Sequence, residues 1–386
     1  MSRKKILWLC SWFPGKTEPY NGDFIQRHAR AASLYNDIYV IHVIGDASGT
    51  IRQIEKEITK SDGLTEHLVY FKKKPGLIGK FKAHSSYLFL FKQAIRRYVL
   101  ENGKPDLVHV HIPYKAGLLG IWLKKRYKIP FIVSEHWGIY NKIVNDNYEK
   151  QNFFFKRIVS KTFHEANCWV SVSNYLSDGV KKMVFDGGFE IIPNAVDISL
   201  FYLKPKEQGK FRFIHVSNMV TLKNAEGILR AFKSFCKNNS SAELVMVGDN
   251  RKDIREFAAK LFSEGEVKFR GEVPYQQVAK EMQDSNCLIL FSDIENSPCV
   301  IGEALCCGVP VIATNVGGIP ELVNEENGLL VEPGDEEGLA SVMEKMIEQY
   351  SSFDRKKITN AATAKFSYQK IGKEFDLLYQ KETITL

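Results

Sequence analysis

What most constrains this chain is the order in which its segments repeat: a short apolar run, a loop, then an amphipathic stretch, again and again. That alternation predicts parallel sheets covered by helices on both faces, because parallel strands need a crossover and a helix is the usual one. In the first half the expected strands are Lys5–Cys10, Ile38–Ile44, Asp106–His111, Phe131–Glu135 and Trp169–Val172. The expected helices are Gly22–Leu34, Ser86–Leu100, Ala116–Tyr127, and Asn174–Val184 behind a Ser173 cap. A second series starts afresh, with strands at Phe211–Val216, Glu243–Val247, Val267–Phe269, Cys287–Phe291, Val309–Ala313 and Leu329–Val331. The run from Ile191 to Gln208 carries two prolines and no clear period, so it reads as a link. The division expected is a first domain at 1–195, a linker at 196–209 and a second domain at 210–365. A final helix at 366–386 would pack back on the first domain, with Phe366, Ile371, Phe375, Leu378 and Tyr379 at helical spacing. Open parallel sheets bind ligands beyond the carboxyl ends of their strands. Two such Rossmann-like domains facing each other across a cleft would therefore share one site.

Composition narrows the setting. No stretch approaches the roughly 18 apolar residues that span a bilayer, and the basic-then-apolar start, MSRKKILWLCSWFPG, reads as the first buried strand rather than a leader. Seven cysteines are scattered without a Cys-x-x-Cys, which suits small core residues in a reducing, cytoplasmic compartment. Charge is uneven. Residues 1–200 hold 30 Lys+Arg against 18 Asp+Glu, while the remainder holds 23 against 27. The basic half is the expected home of an anionic partner. Within it, YFKKKPGLIGKF and YLFLFKQAIRRY interleave aromatics with cations. This suits peripheral contact with an anionic bilayer, at the inner face of the cytoplasmic membrane, better than a nucleic-acid partner. A dehydrogenase is disfavoured because no Gly-x-Gly-x-x-Gly follows a strand, and no Gly-Lys-Ser/Thr loop supports a kinase.

The chemistry is concentrated in Ser292–Pro333, SDIENSPCVIGEALCCGVPVIATNVGGIPELVNEENGLLVEP. Ser297 and Pro298 predict a helix start, as N-cap and first residue, and Gly308 its end. The amides of Cys299 and Val300 would lack acceptors and, with the helix dipole, would form an anion site suited to a diphosphate. Glu303 lies one helical turn beyond Cys299, about 6 Å along the axis. That is a natural step from a phosphate to a ribose diol. Glu295, before the helix, would reach the hydroxyls of a sugar on the other side.

Glu295 and Glu303 with seven residues between, followed by EALCCGVPVIATNVGGIPELV and NGLLVEP, resemble the E-x7-E region of retaining family-4 glycosyltransferases of the GT-B fold. IIPNAVDISLF, VSNMVTLKNAEGILRAF and VKFRGEVPYQQV resemble further segments of that family, so the likeness covers most of the chain. It implies an α/β GT-B fold and a hexosyltransferase acting in polysaccharide biosynthesis. A hexose-type sugar would pass from a UDP- or GDP-sugar to a glycan or lipid-linked acceptor, with no cofactor and no metal. It further implies that Glu303 holds the ribose, Glu295 the transferred sugar and Lys223 the diphosphate. Arg270 would lie beside the nucleobase, Gly22 in the loop near the diphosphate and acceptor, and His136 against the donor sugar. Ser217-Asn218 depart from the family's Gly-Arg, so an arginine expected on the phosphates is absent. His109 and His111 alternate on one strand face, but two ligands make a poor zinc site, and they read as structural or cleft-lining. The alternatives are a GT-B sugar-nucleotide epimerase and a catalytically weak nucleotide-sugar-binding protein.

Overall fold

The computed structural model describes residues 3–206, 209–237, 239, 242–263 and 265–384. Met1 and Ser2, Glu207 and Gln208 of the link, and Thr385 and Leu386 of the last segment lie outside the described residues. The chain forms two compact units, Met1–Ala195 together with Tyr368–Leu386, and Val196–Ser367.

The first unit is built on strands β1 (Lys5–Cys10), β2 (Asp37–Asp46), β3 (Glu55–Ser61), β4 (Leu64–Lys72), β5 (Leu107–His111), β6 (Phe131–Glu135), β7 (Cys168–Ser171) and β8 (Glu190–Ile191). They lie in the order β3-β4-β2-β1-β5-β6-β7-β8, and every pairing but β3–β4 is parallel. Helices α1 (Asp23–Ser33), α2 (Gly76–Asn102), α3 (Ala116–Tyr127), α4 (Phe153–Glu165) and α5 (Asn174–Met183) connect them. The continuous apolar run of β1 is explained by burial on both faces. Leu7 and Leu9 enter one core, and Ile6, Trp8 and Cys10 the other. Ser173 caps α5 as expected, its hydroxyl accepting from the Leu176 amide at 3.2 Å.

The β3–β4 hairpin, the short strand β8 and helix α4 escape the apolar-run reading of this unit. The β3–β4 hairpin turns at Asp62-Gly63, a dipeptide that favours two-residue hairpin turns. Helix α4 starts behind Asn152, whose side chain accepts from the Phe155 amide at 3.0 Å.

The second unit carries β9 (Phe211–Ser217), β10 (Ala242–Gly248), β11 (Val267–Gly271), β12 (Cys287–Leu290), β13 (Val311–Thr314) and β14 (Gly328–Val331). Its helices are α6 (Ala225–Phe235), α7 (Lys252–Leu261), α8 (Tyr275–Asp284), α9 (Cys299–Cys306), α10 (Glu336–Glu348) and α11 (Arg355–Phe366). The sheet is wholly parallel, in the order β11-β10-β9-β12-β13-β14. Chain direction across the sheet reverses between β9 and β12, and that reversal is where a doubly wound sheet opens a crevice for ligands.

The single helix expected at 366–386 is corrected within the described residues. Helix α11 ends at Phe366, Ser367 turns extended at ψ 152°, and α12 (Tyr368–Ile384) follows. The Val196 amide donates to the Phe366 carbonyl at 2.8 Å, taking an acceptor that a continuing helix would use. Phe366 belongs to the second unit's core, whereas Ile371, Phe375, Leu378 and Tyr379 of α12 complete the first unit's core beside α1.

Candidate active site

In the second unit, the loops that follow β9 and β12 meet at the carboxyl edge of the sheet. The β9 loop is held by Ser217, whose hydroxyl accepts from the Met219 amide at 2.9 Å and pairs with His215 Nε2 at 2.7 Å. His215 Nδ1 reaches the Ile289 carbonyl of β12 at 2.9 Å. Burial, chiefly, and the charge of Lys223 hold this imidazole down to about 4, so it stays neutral. The loop then delivers Lys223 at the end of a single 3-10 turn, Thr221–Lys223. The Asp293 amide donates to the Leu222 carbonyl at 2.9 Å and ties the two loops together.

Lys223 Nζ forms an ion pair with Glu295 Oε1. The same oxygen accepts from Ser292 Oγ at 2.8 Å. The Glu295 side chain is only 9% exposed, which rejects a role as a merely solvated surface acid. Its backbone carbonyl accepts from the Gly318 amide at 3.0 Å. Gly317 has φ 58°, and a Cβ there would lie 1.9 Å from the Glu295 carbonyl oxygen. The Gly-Gly pair is therefore a seat shaped for the Glu295 loop.

Helix α9 begins at Cys299 with Pro298 in the capping position and no side-chain cap bond from it. This corrects the expected start by one residue. Proline's fixed φ suits either position, and the preceding turn carries the chain to Cys299 before the helical ladder begins. Cys307 and then Gly308, at φ 64°, end the helix. Cys299 and Val300 are half-buried at its tip. Glu303 sits one turn on, 5% exposed, where Tyr275 Oη of α8 donates to its Oε1 at 2.7 Å. The Tyr275 ring rests 5.0 Å from that of Phe201. Sequence reasoning missed Tyr275. Arg270 lies at the end of β11, and its guanidinium is bound to Glu281 of α8 at 3.1 Å. Lys223, Glu295 and the tip of α9 thus converge around one switch point, with Glu303 one turn deeper, while the Arg270 side chain is committed elsewhere.

Gly22 and His136 belong to the first unit. Gly22 precedes α1 at φ 74°, and a Cβ there would meet the Trp12 backbone at 2.8 Å. His136 follows β6 and is buried with His28, His109 and His111. His136 Nε2 lies 3.4 Å from His111 Nδ1, and His28 Nε2 bonds the Pro193 carbonyl at 3.0 Å. His109 is bound to Tyr379 Oη at 2.8 Å and Ser134 Oγ at 2.7 Å, which gives it a structural role. Among the described residues no group of three His, Cys, Asp or Glu side chains is placed to hold a metal ion. Burial, and the charges of the neighbouring imidazoles, hold His109, His111 and His136 well below the usual histidine range. Glu135, next to His136, is raised to about 7 by burial. It accepts from the amides of His136 at 2.8 Å and Trp137 at 2.9 Å, and from Tyr140 Oη at 2.5 Å.

Residues 32–200 match the family described as Glycosyltransferase Family 4, and residues 203–365 match Glycosyl transferases group 1. The chain is 30% identical over 291 residues to the N-acetyl-alpha-D-glucosaminyl L-malate synthase of Bacillus anthracis, covering 71% of this chain and 74% of that one. The chain belongs to the glycosyltransferases. Over 99% of both chains, this glycosyltransferase is also 26% identical to a putative teichuronic acid biosynthesis glycosyltransferase, TuaC, of Bacillus subtilis. The structure of HepE from Anabaena in complex with UDP-glucose superposes with a TM-score of 0.69 at 20% identity, covering 98% of this chain and 100% of that one. The glycosyltransferase has the two-unit α/β architecture of the GT-B class. Among its described residues, no helix is long and apolar enough to cross a membrane.

Proposed function

We propose that this glycosyltransferase is a retaining enzyme that moves a hexose-type sugar from a UDP- or GDP-sugar to a glycan or lipid-linked acceptor in polysaccharide biosynthesis. The observation that carries the reading is the Lys223–Glu295 pair, held at the β9/β12 switch point beside the tip of α9. The resemblance around Glu295 and Glu303 supports it. So do the UDP-glucose bound by HepE and the putative role in teichuronic acid biosynthesis named for TuaC.

In this reading the donor diphosphate docks on the amides of Cys299 and Val300 and draws Lys223 away from Glu295. The ammonium then neutralises the leaving phosphates as the glycosidic bond breaks. Glu295, relieved of its cation, accepts from hydroxyls of the sugar. Glu303 accepts from the ribose diol, with Tyr275 fixing its carboxylate, and the Arg270 backbone lies beside the base. The acceptor hydroxyl attacks the face from which the nucleotide leaves and passes its proton to the departing phosphate. No side chain is assigned as general base. No metal is assigned either, because the lysine and the helix amides supply the positive charge. Nothing in the relatives or the geometry supports the epimerase alternative.

The same proposal includes peripheral contact with an anionic membrane through α2. Ile78, Phe81 and Phe89 stand 63–79% exposed on this helix, among Lys80, Lys82 and Lys92. Apolar side chains set among cations suit an interfacial helix.

Calorimetry with Glu303→Ala tests the ribose role. Loss of one charge-assisted acceptor, about 1.5–3 kcal/mol, should weaken nucleotide-sugar binding by roughly 10- to 100-fold. Wild-type affinity would remove Glu303 from the site. Retention is read from the anomeric configuration of the product by NMR.

A further inference from the structure

The first unit has a switch point of its own. Its strands run β4-β2-β1-β5-β6-β7, with the reversal between β1 and β5, so the loops leaving the carboxyl ends of these strands border a ligand-receiving edge. Two tryptophans stand there. Trp12 lies two residues beyond β1, and Trp137 two residues beyond β6. Their rings meet at 5.4 Å with planes 66° apart, like the two walls of a corner. Both are half-buried. Trp8 of β1, by contrast, is wholly enclosed in the core.

The backbone is shaped around both indoles. Gly22 holds φ 74°, and a Cβ there would lie 2.8 Å from the Trp12 carbonyl carbon and 3.0 Å from the Trp12 Cβ. Only glycine lets the Trp12 loop approach so closely. Trp137 is set by Glu135, whose Oε1 accepts from the Trp137 amide at 2.9 Å and the His136 amide at 2.8 Å. Tyr140 Oη holds the other carboxylate oxygen at 2.5 Å. A carboxyl group with no exposure is costly to enclose, and here it is spent on the turn that presents Trp137. The Phe155 ring of α4, 5.8 Å away and near-perpendicular, supports the same indole.

Among the described residues, no acceptor pairs with the indole N–H of Trp12 or of Trp137. A tryptophan that serves packing usually finds its N–H a partner, as Trp169 does in the Phe163 carbonyl at 2.6 Å. The corner therefore offers two aromatic walls and two donors that the protein leaves unclaimed. A pyranose ring matches both. Its C–H face carries slight positive charge and is drawn to the negative face of an indole, while hydroxyls on its rim accept from N–H groups.

We propose that Trp12 and Trp137 form a sugar-stacking subsite in the first unit, and that the acceptor of this glycosyltransferase therefore presents a sugar ring. The assignment to the acceptor rests on the transfer reaction proposed above. The subsite itself does not.

Fluorotryptophan incorporated into the full chain gives one fluorine NMR signal for each of the five tryptophans, Trp8, Trp12, Trp122, Trp137 and Trp169. The probes are methyl glycosides of glucose, galactose, mannose and N-acetylglucosamine, titrated without nucleotide. Sorbitol, which has the hydroxyls but no ring face, is the control. At least one glycoside should shift the Trp12 and Trp137 signals saturably and leave the other three in place, and sorbitol should shift none. Trp12→Leu should weaken that binding by about 10-fold, and Trp12→Phe, which keeps a ring face, should restore most of it. Signals that no glycoside moves, or that sorbitol moves equally, overturn the subsite. Undiminished binding in Trp12→Leu overturns it too. The octyl glycoside of the sugar bound most tightly, kept below its micelle-forming concentration, is the second arm. Several-fold tighter binding than the methyl glycoside supports a sugar carried on a lipid, and equal binding supports a soluble glycan. If nucleotide sugars do not bind but the two signals still respond, the donor reading fails and the subsite stands.

Discussion

Lowering the pH from 7 to 5 is expected to unfold the first unit while the second stays folded. His28 and His42 are held down to about 4, and His109, His111 and His136 are well below the usual range, burial being the largest cause for each. A histidine whose folded pKa lies below its unfolded value near 6.5 favours the unfolded chain as protons are added. Stability is therefore lost as pH falls from about 6.5 toward 4. By pH 5 His28 and His42 have each withdrawn about 2 kcal/mol, and His109, His111 and His136 act in the same direction, against a whole-domain stability of about 5–15 kcal/mol. Glu135 works in the opposite direction. Its folded pKa of about 7 lies above the unfolded value, so it takes up its proton first in the folded state. It returns about 2 kcal/mol between pH 7 and 5, which offsets roughly one histidine. The second unit contains a single histidine of this kind, His215. Hydrogen exchange at both pH values, corrected for intrinsic rates, should show protection lost in peptides from residues 3–195 and 368–384 and kept in those from 209–367. Equal protection in both units at pH 5 would refute the account.

Replacing Lys223 by alanine is expected to lower turnover by about 10²- to 10³-fold, the usual effect of removing one group that stabilises developing negative charge. The same change leaves Glu295, nearly enclosed, with Ser292 in place of its cation. A stability loss of about 1–3 kcal/mol should follow. The two effects separate in a double variant. Lys223→Ala with Glu295→Gln removes the uncompensated charge and should recover most of the melting temperature without recovering turnover. A single variant with wild-type kcat would end the leaving-group role. Recovery of both stability and turnover in the double variant would show that the lysine serves only to hold Glu295.

The regular part of this architecture was legible because buried parallel strands must be apolar along their length, and most of the expected strands lie within a residue or two of the observed ones. Strand β3 was not, because EKEITKS is an exposed, charged edge with no apolar run to betray it. Only the Asp62-Gly63 turn signalled the hairpin. Helix α4 was hidden by the exposed Phe153 and Phe154 at its start, which break the expected polar first turn. In the second unit, motif resemblance named Lys223, Glu295 and Glu303 as donor residues. It could not show that Lys223 and Glu295 neutralise each other in the free protein, since that pairing spans 72 positions. Tyr275 on Glu303 was unreadable for the same reason, a contact made only when α8 packs beside α9. The alternation of His109 and His111 placed both on one face, but the approach of His28 and His136 from other elements depends on the folded sheet.

The two passages of the chain between the units lie side by side, since Val196 pairs with Ser367. The second unit is thus one uninterrupted stretch whose ends already touch, which makes it the portable half of the protein. It can be excised, or exchanged for that of a relative, with a splice at a single place. The first unit has no such freedom, because Ile371, Phe375 and Tyr379 from the far end of the chain fill its interior. On a ribosome it must wait until residues 368–384 have been made before its core can close.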